Sequence, residues 1–341
     1  MKIGILNGGG DCAGLNAVTR AVVRQCEQFG FEIIGIRHGW AGLIDIDTVP
    51  LNWKTVSHVI KDGGTILHTT RTNPFSRPQG PETVLKNVKK LGLDTLIAVG
   101  GEDTLSVCAK LSQMGLRSIG VPKTIDNDVY ATDVTFGFDS AVNVTVEAID
   151  RIETTAESHD RIMIVEVMGR DAGWIAAYAG IASGANLTLV PEEPFDLDEI
   201  SNFLRNRHQS GATMSIVIVG EGCRLKGLSS NQNSAMVDEF GHPRLGGIGE
   251  LLAKELEKRV GIETRVVVLG HLVRGGRPSA YDRILATRLG AAAVQAVKDE
   301  EFNVMVCLHN NKLTRIPITE ILGRIKKLDE GTLSLVKDFT I

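Results

Sequence analysis

Two carboxylates two positions apart, Asp126 and Asp128, with Lys123 three residues before the first, are the side chains of this sequence best arranged for chemistry. They lie in Pro122-Lys123-Thr124-Ile125-Asp126-Asn127-Asp128, directly after the apolar run Arg117 to Val121, which reads as a strand. In extended chain, side chains at i and i+2 share a face, so both carboxylates would point the same way. A base, a second acid and a cation within reach of an anionic reactant make a phosphoryl-transfer arrangement. Asp, Asn and Pro are also ordinary turn residues, so taken alone the segment reads equally well as a solvated loop. The weight comes from its surroundings.

Several strand-to-glycine-to-helix junctions supply those surroundings. Strand Lys2 to Leu6 runs into Asn7-Gly8-Gly9-Gly10-Asp11-Cys12-Ala13-Gly14, and helical periodicity starts at Leu15. Such a turn lets backbone amides and the positive helix end face a phosphate. It lacks the Gly-Lys-Ser/Thr of a Walker loop and is not a clean dinucleotide fingerprint. Strand Thr95 to Val99 opens into Gly100-Gly101-Glu102-Asp103-Thr104 and a helix through Met114, placing two acids at a strand's carboxyl end, where open parallel sheets bind ligands. Those acids could simply favour the helix dipole, or could hold Mg²⁺ against phosphate oxygens. The polar loop 63–74 carries a single arginine, Arg71, either an anion contact or solvated surface. Strand Arg161 to Met168 ends in Gly169-Arg170, strand Met214 to Gly220 ends in Glu221-Gly222, and strand Arg265 to Gly270 leads to His271-Leu272-Val273-Arg274-Gly275-Gly276.

The elements that must position these groups alternate. Strands Glu32 to Arg37, Leu187 to Val190 and Phe302 to Cys307 interleave with helices Trp53 to Lys61, Pro81 to Leu91, Phe138 to Thr155, Leu197 to Gln209 and Ser279 to Lys298. A further helix runs to Arg259, a Ser/Asn/Gly-rich stretch from Gly227 to Gly249 reads as a mobile loop, and a charged helix closes the chain. Alternation throughout argues a doubly wound α/β protein of two sections meeting near Phe138, without internal repeat.

With 341 residues, 43% hydrophobic and 23% charged, the chain is globular and suggests two lobes. A net charge of −4 gives no electrostatic reason to expect nucleic acid or an anionic membrane as partner. Five scattered cysteines without a Cys-x-x-Cys pair indicate neither a disulfide framework nor a zinc site, and point to reduced thiols in cytosol. The chain begins on a strand, so no signal peptide is expected, and no apolar run reaches the roughly 18 residues of a membrane span.

Five motifs in order resemble the phosphofructokinase family: Asn7-Gly-Gly-Gly-Asp11, Gly100-Gly-Glu-Asp-Thr104, Pro122-Lys-Thr-Ile-Asp-Asn-Asp128, Met168-Gly-Arg170 and Gly270-His-Leu-Val-Arg-Gly-Gly276. The resemblance covers nearly the whole chain and implies two Rossmann-like lobes, each with a mainly parallel sheet flanked by helices. It places phosphoryl-donor binding in 1–138 plus 273–324, and fructose 6-phosphate binding in 139–272 plus 325–341. It implies attack of the sugar's 1-hydroxyl on a terminal phosphoryl group, with Asp126 as general base, Asp128 assisting the base and the metal, and Arg170 with Lys123 stabilising transferred charge. Glu102 matches the Mg²⁺-binding acid, while Gly10, Arg71, Asp103 and Thr104 match donor contacts beside Lys123. Thr124, Asp126, Met168, Gly169, Arg170, Glu221, His271 and Arg274 match positions that hold the sugar phosphate. Arg161 and Arg265 match arginines supplied by a neighbouring subunit, which implies a homodimer or homotetramer.

Asp103 and Lys123 bear on the donor. ATP-dependent members of the family typically have glycine at both positions, whereas Asp and Lys are the pair typical of members that use pyrophosphate. Like charges about 4 Å apart at an effective dielectric near 20 repel by about 4 kcal/mol, about three orders of magnitude against the α-phosphate of ATP. Lys123 would neutralise the oxygens of pyrophosphate, so a reversible pyrophosphate enzyme is expected. Arg20, Arg24 and Lys54 could serve an effector phosphate, but Glu153 stands where allosteric members have an arginine, so weak regulation is expected. The alternatives are an ATP-dependent or mixed-donor enzyme, a kinase of the NAD or lipid type, and a non-catalytic sugar-phosphate-binding subunit. The intact base and clamp speak against the last, and the sugar-phosphate motifs against the kinase.

Overall fold

The computed structural model describes residues 1–226, 239–241 and 245–340, so most of the glycine-rich stretch expected as a loop lies outside the described residues. The chain divides into two compact units. Unit 1 holds Met1–Ser140 and Arg274–Lys326 with described residues 239–241; unit 2 holds the described parts of Ala141–Met236, Pro243–Val273 and Lys327–Ile341.

Unit 1 is built from β1 (Lys2–Asn7), α1 (Leu15–Phe29), β2 (Glu32–Ile36), α2 (Trp40–Asp45), β3 (Thr48–Pro50), α3 (Trp53–Val56), α4 (Gly80–Lys90), β4 (Thr95–Gly100), α5 (Glu102–Gln113), β5 (Ser118–Thr124) and β6 (Phe136–Gly137). Helix α6 (Phe138–Ser158) leaves it for unit 2, which holds β7 (Ile162–Val167), α7 (Trp174–Ser183), β8 (Leu187–Leu189), α8 (Leu197–Gln209), β9 (Ser215–Gly220), α9 (Ile248–Val260) and β10 (Thr264–Val268). The chain then returns to unit 1 as α10 (Ala280–Lys298), β11 (Val304–His309) and β12 (Lys312–Pro317), and ends in unit 2 with α11 (Glu330–Asp338).

The first sheet runs β12-β11-β5-β4-β1-β2-β3, with β6 beside β5. Its inner strands are parallel, and β3 and β12 add antiparallel edges. Strands β4 and β5 are buried along their full length, as parallel strands covered on both faces must be. Leu6, Ile36, Trp40, Leu96, Leu105 and Met305 form the core there. Each such chain contributes about 1.5–3 kcal/mol by leaving water. On the other face α10 lies close on α1: a Cβ at Gly290 would stand 2.8 Å from the Val18 carbonyl oxygen, which only glycine permits. The second sheet, β10-β7-β9-β8, is parallel throughout and packs Ile162, Ile164, Val217 and Val219 against Leu204, Leu252 and Leu256.

Several expected elements differ. The helix expected over Trp53 to Lys61 is the short α3 followed by a 3₁₀ turn at Val59–Lys61. The Ser57 carbonyl between them accepts from Arg20 Nε at 3.3 Å. The strand expected at Phe302 starts at Val304, because Asn303 turns (φ 60°) and its amide and side chain pair with Ser118. Beyond it the sequence reading missed β12, which pairs with β11 across Asn310 and Asn311, both left-handed, as a two-residue hairpin requires. Strand β10 stops at Val268, and Gly270–Arg274 forms a 3₁₀ turn.

Register places the loops. In unit 1 β5, β4 and β1 are neighbours, with Asn7 opposite Val99 and Gly100 opposite Pro122. The Gly8–Gly10, Gly101–Thr104 and Ile125–Asp128 segments therefore leave the sheet side by side at its carboxyl edge, where doubly wound sheets bind ligands. In unit 2 Val167 lies opposite Gly220, so Met168–Arg170 and Glu221 emerge together.

Candidate active site

The glycine loop after β1 is closed over Thr104, from the first turn of α5. A Cβ at Gly8 would stand 2.6 Å from the Thr104 hydroxyl, so the loop can seat there only without a side chain. Two of its amides do not face a ligand, contrary to the sequence expectation. Gly8 N–H donates to the Val99 carbonyl (2.9 Å) and Gly9 N–H to that of Thr70 (3.0 Å), while the Thr69 hydroxyl donates to the Gly9 carbonyl. At Gly8 and Gly9 the loop is thus tied to β4 and to the segment carrying Arg71.

Lys123, near the end of β5, is only 3% exposed and its Nζ donates to the Gly10 carbonyl. Burial lowers its pKa and Arg274 adds to that, while Asp126 and Asp11 counteract it. Arg274 is also buried: its Nη1 donates to the Asp11 carbonyl at 3.2 Å and its guanidinium covers Gly10. The sequence grouped Arg274 with the sugar contacts; the structure brings it together with Gly10 and Lys123. Glu102 and Asp103 occupy the first turn of α5, where the helix dipole favours negative charge, and Ser106 Oγ donates to Glu102 Oε1 at 2.6 Å.

The backbone between Asp126 and Asp128 is not extended, contrary to the sequence expectation. Strand β5 ends at Thr124, and Asn127 is left-handed at φ 52°, so the alternation that would aim both carboxylates alike is broken between them. Asp126 is 6% exposed and Asp128 half-exposed. The Asp126 amide donates to Thr124 Oγ1 at 3.1 Å, yet among the described residues no donor reaches Asp126 Oδ1, and Arg274 Nε likewise has no acceptor. Buried polar atoms are nearly always paired. Two orphans on neighbouring segments mark where a ligand's polar groups would bind.

In unit 2, Glu221 Oε1 accepts from the amides of Gly169 (3.3 Å) and Arg170 (3.1 Å), so the Met168–Arg170 turn and Glu221 are one assembly. Arg170 is left-handed (φ 54°), and its carbonyl lies where Gly222 would carry a Cβ. Arg161 and Arg265 meet through Glu263: Arg161 Nε donates to Glu263 Oε2 at 2.8 Å, and Arg265 pairs with its other oxygen. His271 is exposed in the 3₁₀ turn after β10. Glu166, which sequence reasoning missed, is buried in β7 and accepts from the Gly247 and Gly249 amides at the start of α9 (3.2 and 2.8 Å).

Asp282, also missed, is buried at the start of α10, and its Oδ2 accepts from the Ser140 amide (2.8 Å) and hydroxyl (2.6 Å). Burial raises its pKa from 3.8 to about 6, with Asp139 adding and the Ser140 bonds opposing. A raised folded-state pKa stabilises the fold fully below the unfolded pKa, and that contribution is lost as pH rises through 6. Asp282→Asn keeps an accepting oxygen and cannot ionise. Its unfolding free energy relative to the parent should therefore rise by about 2–3 kcal/mol between pH 4 and pH 8 in urea titrations. A difference independent of pH would show that folding does not shift the Asp282 pKa.

The phosphofructokinase family model matches residues 2–297. The chain is 47% identical over 340 residues to the pyrophosphate–fructose 6-phosphate 1-phosphotransferase of Dictyoglomus thermophilum, covering 99% of this chain and 98% of that one. It is 46% identical to the ATP-dependent 6-phosphofructokinase 3 of Streptomyces coelicolor, covering 97% of each. Among solved structures, the phosphofructokinase of Saccharomyces cerevisiae superposes with a TM-score of 0.81 at 30% identity; this chain is covered to 99% and spans 47% of the yeast chain. With a family model matched over most of its length and relatives near half identity end to end, the chain belongs to the phosphofructokinase family.

Proposed function

We propose that the protein reversibly transfers a phosphoryl group from pyrophosphate to the 1-hydroxyl of fructose 6-phosphate, giving fructose 1,6-bisphosphate and phosphate. The observation that carries this reading is the buried Lys123, whose Nζ donates to the Gly10 carbonyl and which the nearby carboxylate of Asp126 favours as an ammonium, with Asp126 Oδ1 lacking a donor among the described residues. A fixed cation in a dry site stabilises an anionic group far more than one in water. Several relatives that carry the pyrophosphate name lie at 47–50% identity, which supports the same donor. Relatives named as ATP-dependent lie at 46%, so mixed donor use is the second reading.

Unit 1 is assigned the donor, through Gly10, Arg71, Asp103, Thr104 and Lys123. Asp126 accepts the proton of the attacking hydroxyl, and Asp128 supports that carboxylate. Met168, Gly169, Arg170, Glu221 and His271 are assigned to the sugar phosphate, and so are Thr124 and Arg274. Little covalent work falls to the protein in such a transfer, so positioning and charge stabilisation dominate.

Mg²⁺ fits this donor set as an ion carried mainly on phosphate oxygens. Among the described residues no three His, Cys, Asp or Glu side chains converge as a metal cage, while Glu102 offers one hard oxygen ligand at the head of α5. The ion would neutralise charge on the phosphoryl oxygens.

Arg265 lies in β10, an edge strand of the second sheet, and Arg161 directly precedes the neighbouring β7; Val268, which ends β10, is 51% exposed and Leu272, in the turn after it, 68% exposed. An apolar edge carrying arginines suits a second copy of the chain, and a homodimer or homotetramer is proposed. Five free, buried cysteines are consistent with a reducing cytoplasm, and among the described residues no helix is long and apolar enough to cross a membrane.

The functional reading is tested in reverse. Fructose 1,6-bisphosphate with phosphate and Mg²⁺ should yield fructose 6-phosphate and pyrophosphate, followed by ³¹P NMR. Failure to form pyrophosphate while the forward reaction runs would contradict reversibility.

A further inference from the structure

The loop 125–133 carries both Asp126 and Asp128 yet lies outside any strand, so something other than a sheet must hold its shape. Lys326, almost two hundred residues further on, spans it. Its Nζ donates to Asn127 Oδ1 (2.9 Å), to the Thr132 carbonyl (3.0 Å) and to the Asp133 carbonyl (2.8 Å). Its amide donates to the Asp128 carbonyl at 2.8 Å, and the adjacent Ile325 forms an antiparallel bridge with Val129. Asn127 Oδ1 accepts in addition from the Thr135 amide at 3.1 Å, and Asn127 is buried in a left-handed conformation.

One ammonium thus closes both ends of the loop around the residue that separates the two carboxylates. Burial lowers the Lys326 pKa to about 8, with Asp128 and Asp133 holding it up. A half-buried ammonium with three acceptors is a brace, since removing it would take a donor from the Thr132 and Asp133 carbonyls and leave Asn127 Oδ1 with the Thr135 amide.

We propose that Lys326 is a positioning residue for phosphoryl transfer: through Asn127 it fixes the turn that aims Asp126 and Asp128, so the rate of the chemical step depends on it and substrate binding does not. The proposal rests on the functional reading above. Misplacing a reacting group by about 1 Å can cost about a hundredfold in rate.

The test measures steady-state turnover with pyrophosphate for the parent, Lys326→Met, Lys326→Arg, Asn127→Gly and the Lys326→Met/Asn127→Gly double variant. Far-UV circular dichroism confirms that each is folded, and Lys326→Gln replaces Lys326→Met if the latter does not fold. Lys326→Met should lower kcat about 10- to 100-fold with both KM values within about threefold, and Lys326→Arg should retain more of the rate. Because Lys326 acts through Asn127, the double variant should be no slower than the slower single variant. A kcat within about twofold of the parent, a rise in KM with kcat intact, or single effects that multiply in the double variant would overturn the proposal. A parent without turnover would overturn the functional reading and this proposal with it; an active parent matched by Lys326→Met overturns this proposal alone.

Discussion

Asp126→Asn is expected to lower kcat by roughly 10²- to 10⁴-fold, the range of a lost general base, while the KM for fructose 6-phosphate stays within about threefold. Asparagine keeps the size and one accepting oxygen of the carboxylate, so the packing of a residue only 6% exposed is preserved and proton acceptance alone is removed. The loss should fall on kcat because the proton moves in the transition state, not in the bound ground state. Asp128 is not expected to substitute: the left-handed Asn127 breaks the alternation that would aim both acids alike, and Asp128 remains half-exposed. Steady-state kinetics with saturating pyrophosphate check this. A kcat within tenfold of the parent would move the base to another residue.

Replacing Asp103 and Lys123 together by glycine is expected to reverse the donor preference. Lys123→Gly removes a buried cation from the donor loop and should reduce kcat/KM for pyrophosphate by about 10²- to 10³-fold, the scale of a lost preorganised charge contact. Asp103→Gly removes a carboxylate from the first turn of α5. Its repulsion of an α-phosphate is worth up to about 4 kcal/mol at ~4 Å, and solvent screening of a half-exposed side chain reduces that. A gain of about 10²- to 10³-fold in kcat/KM for ATP is therefore expected from the pair. Unchanged ATP turnover in a folded double variant would show that these two side chains do not set the donor.

Much of this was legible in the sequence where the signal is local. Apolar runs ending in glycine located β1, β4, β7 and β9, and helix α8 matched at both ends, its start fixed by Asp196, whose side chain accepts from the Asp198 and Glu199 amides. Hydrophobic period and cap chemistry act within a few residues, so they survive in one dimension. The errors arise where a distant residue decides. Arg20 binds the carbonyl of Ser57 where a continuous helix was expected, and Asn303 pairs with Ser118, delaying β11. Strand β12 was missed because the Asn310-Asn311 hairpin signal went unread: after Phe302 to Cys307 only a charged closing helix was expected.

The candidate site divides along the same line. Gly10, Glu102, Asp103, Lys123 and Asp126 stand at or just beyond the carboxyl ends of apolar runs that read as strands, and adjacency of β1, β4 and β5 in one sheet brings those ends together. Arg274 bonding the Asp11 carbonyl and Lys326 bonding Asn127 join residues 263 and 199 positions apart, and no spacing rule reaches that far. Asp282 and Glu166 gave no signal for the same reason: Glu166 is a lone acid in an apolar strand and Asp282 an acid in the first turn of a helix, and only burial against the α9 amides or Ser140 gives each a role.

The central claim, pyrophosphate as donor held by Lys123, is tested most directly by kcat/KM for pyrophosphate against kcat/KM for ATP at fixed fructose 6-phosphate and Mg²⁺ with the unmodified protein. The account predicts turnover with pyrophosphate and an ATP value lower by about two to three orders of magnitude. An ATP value equal to or above that for pyrophosphate would contradict it, leaving the family intact and the donor assignment wrong.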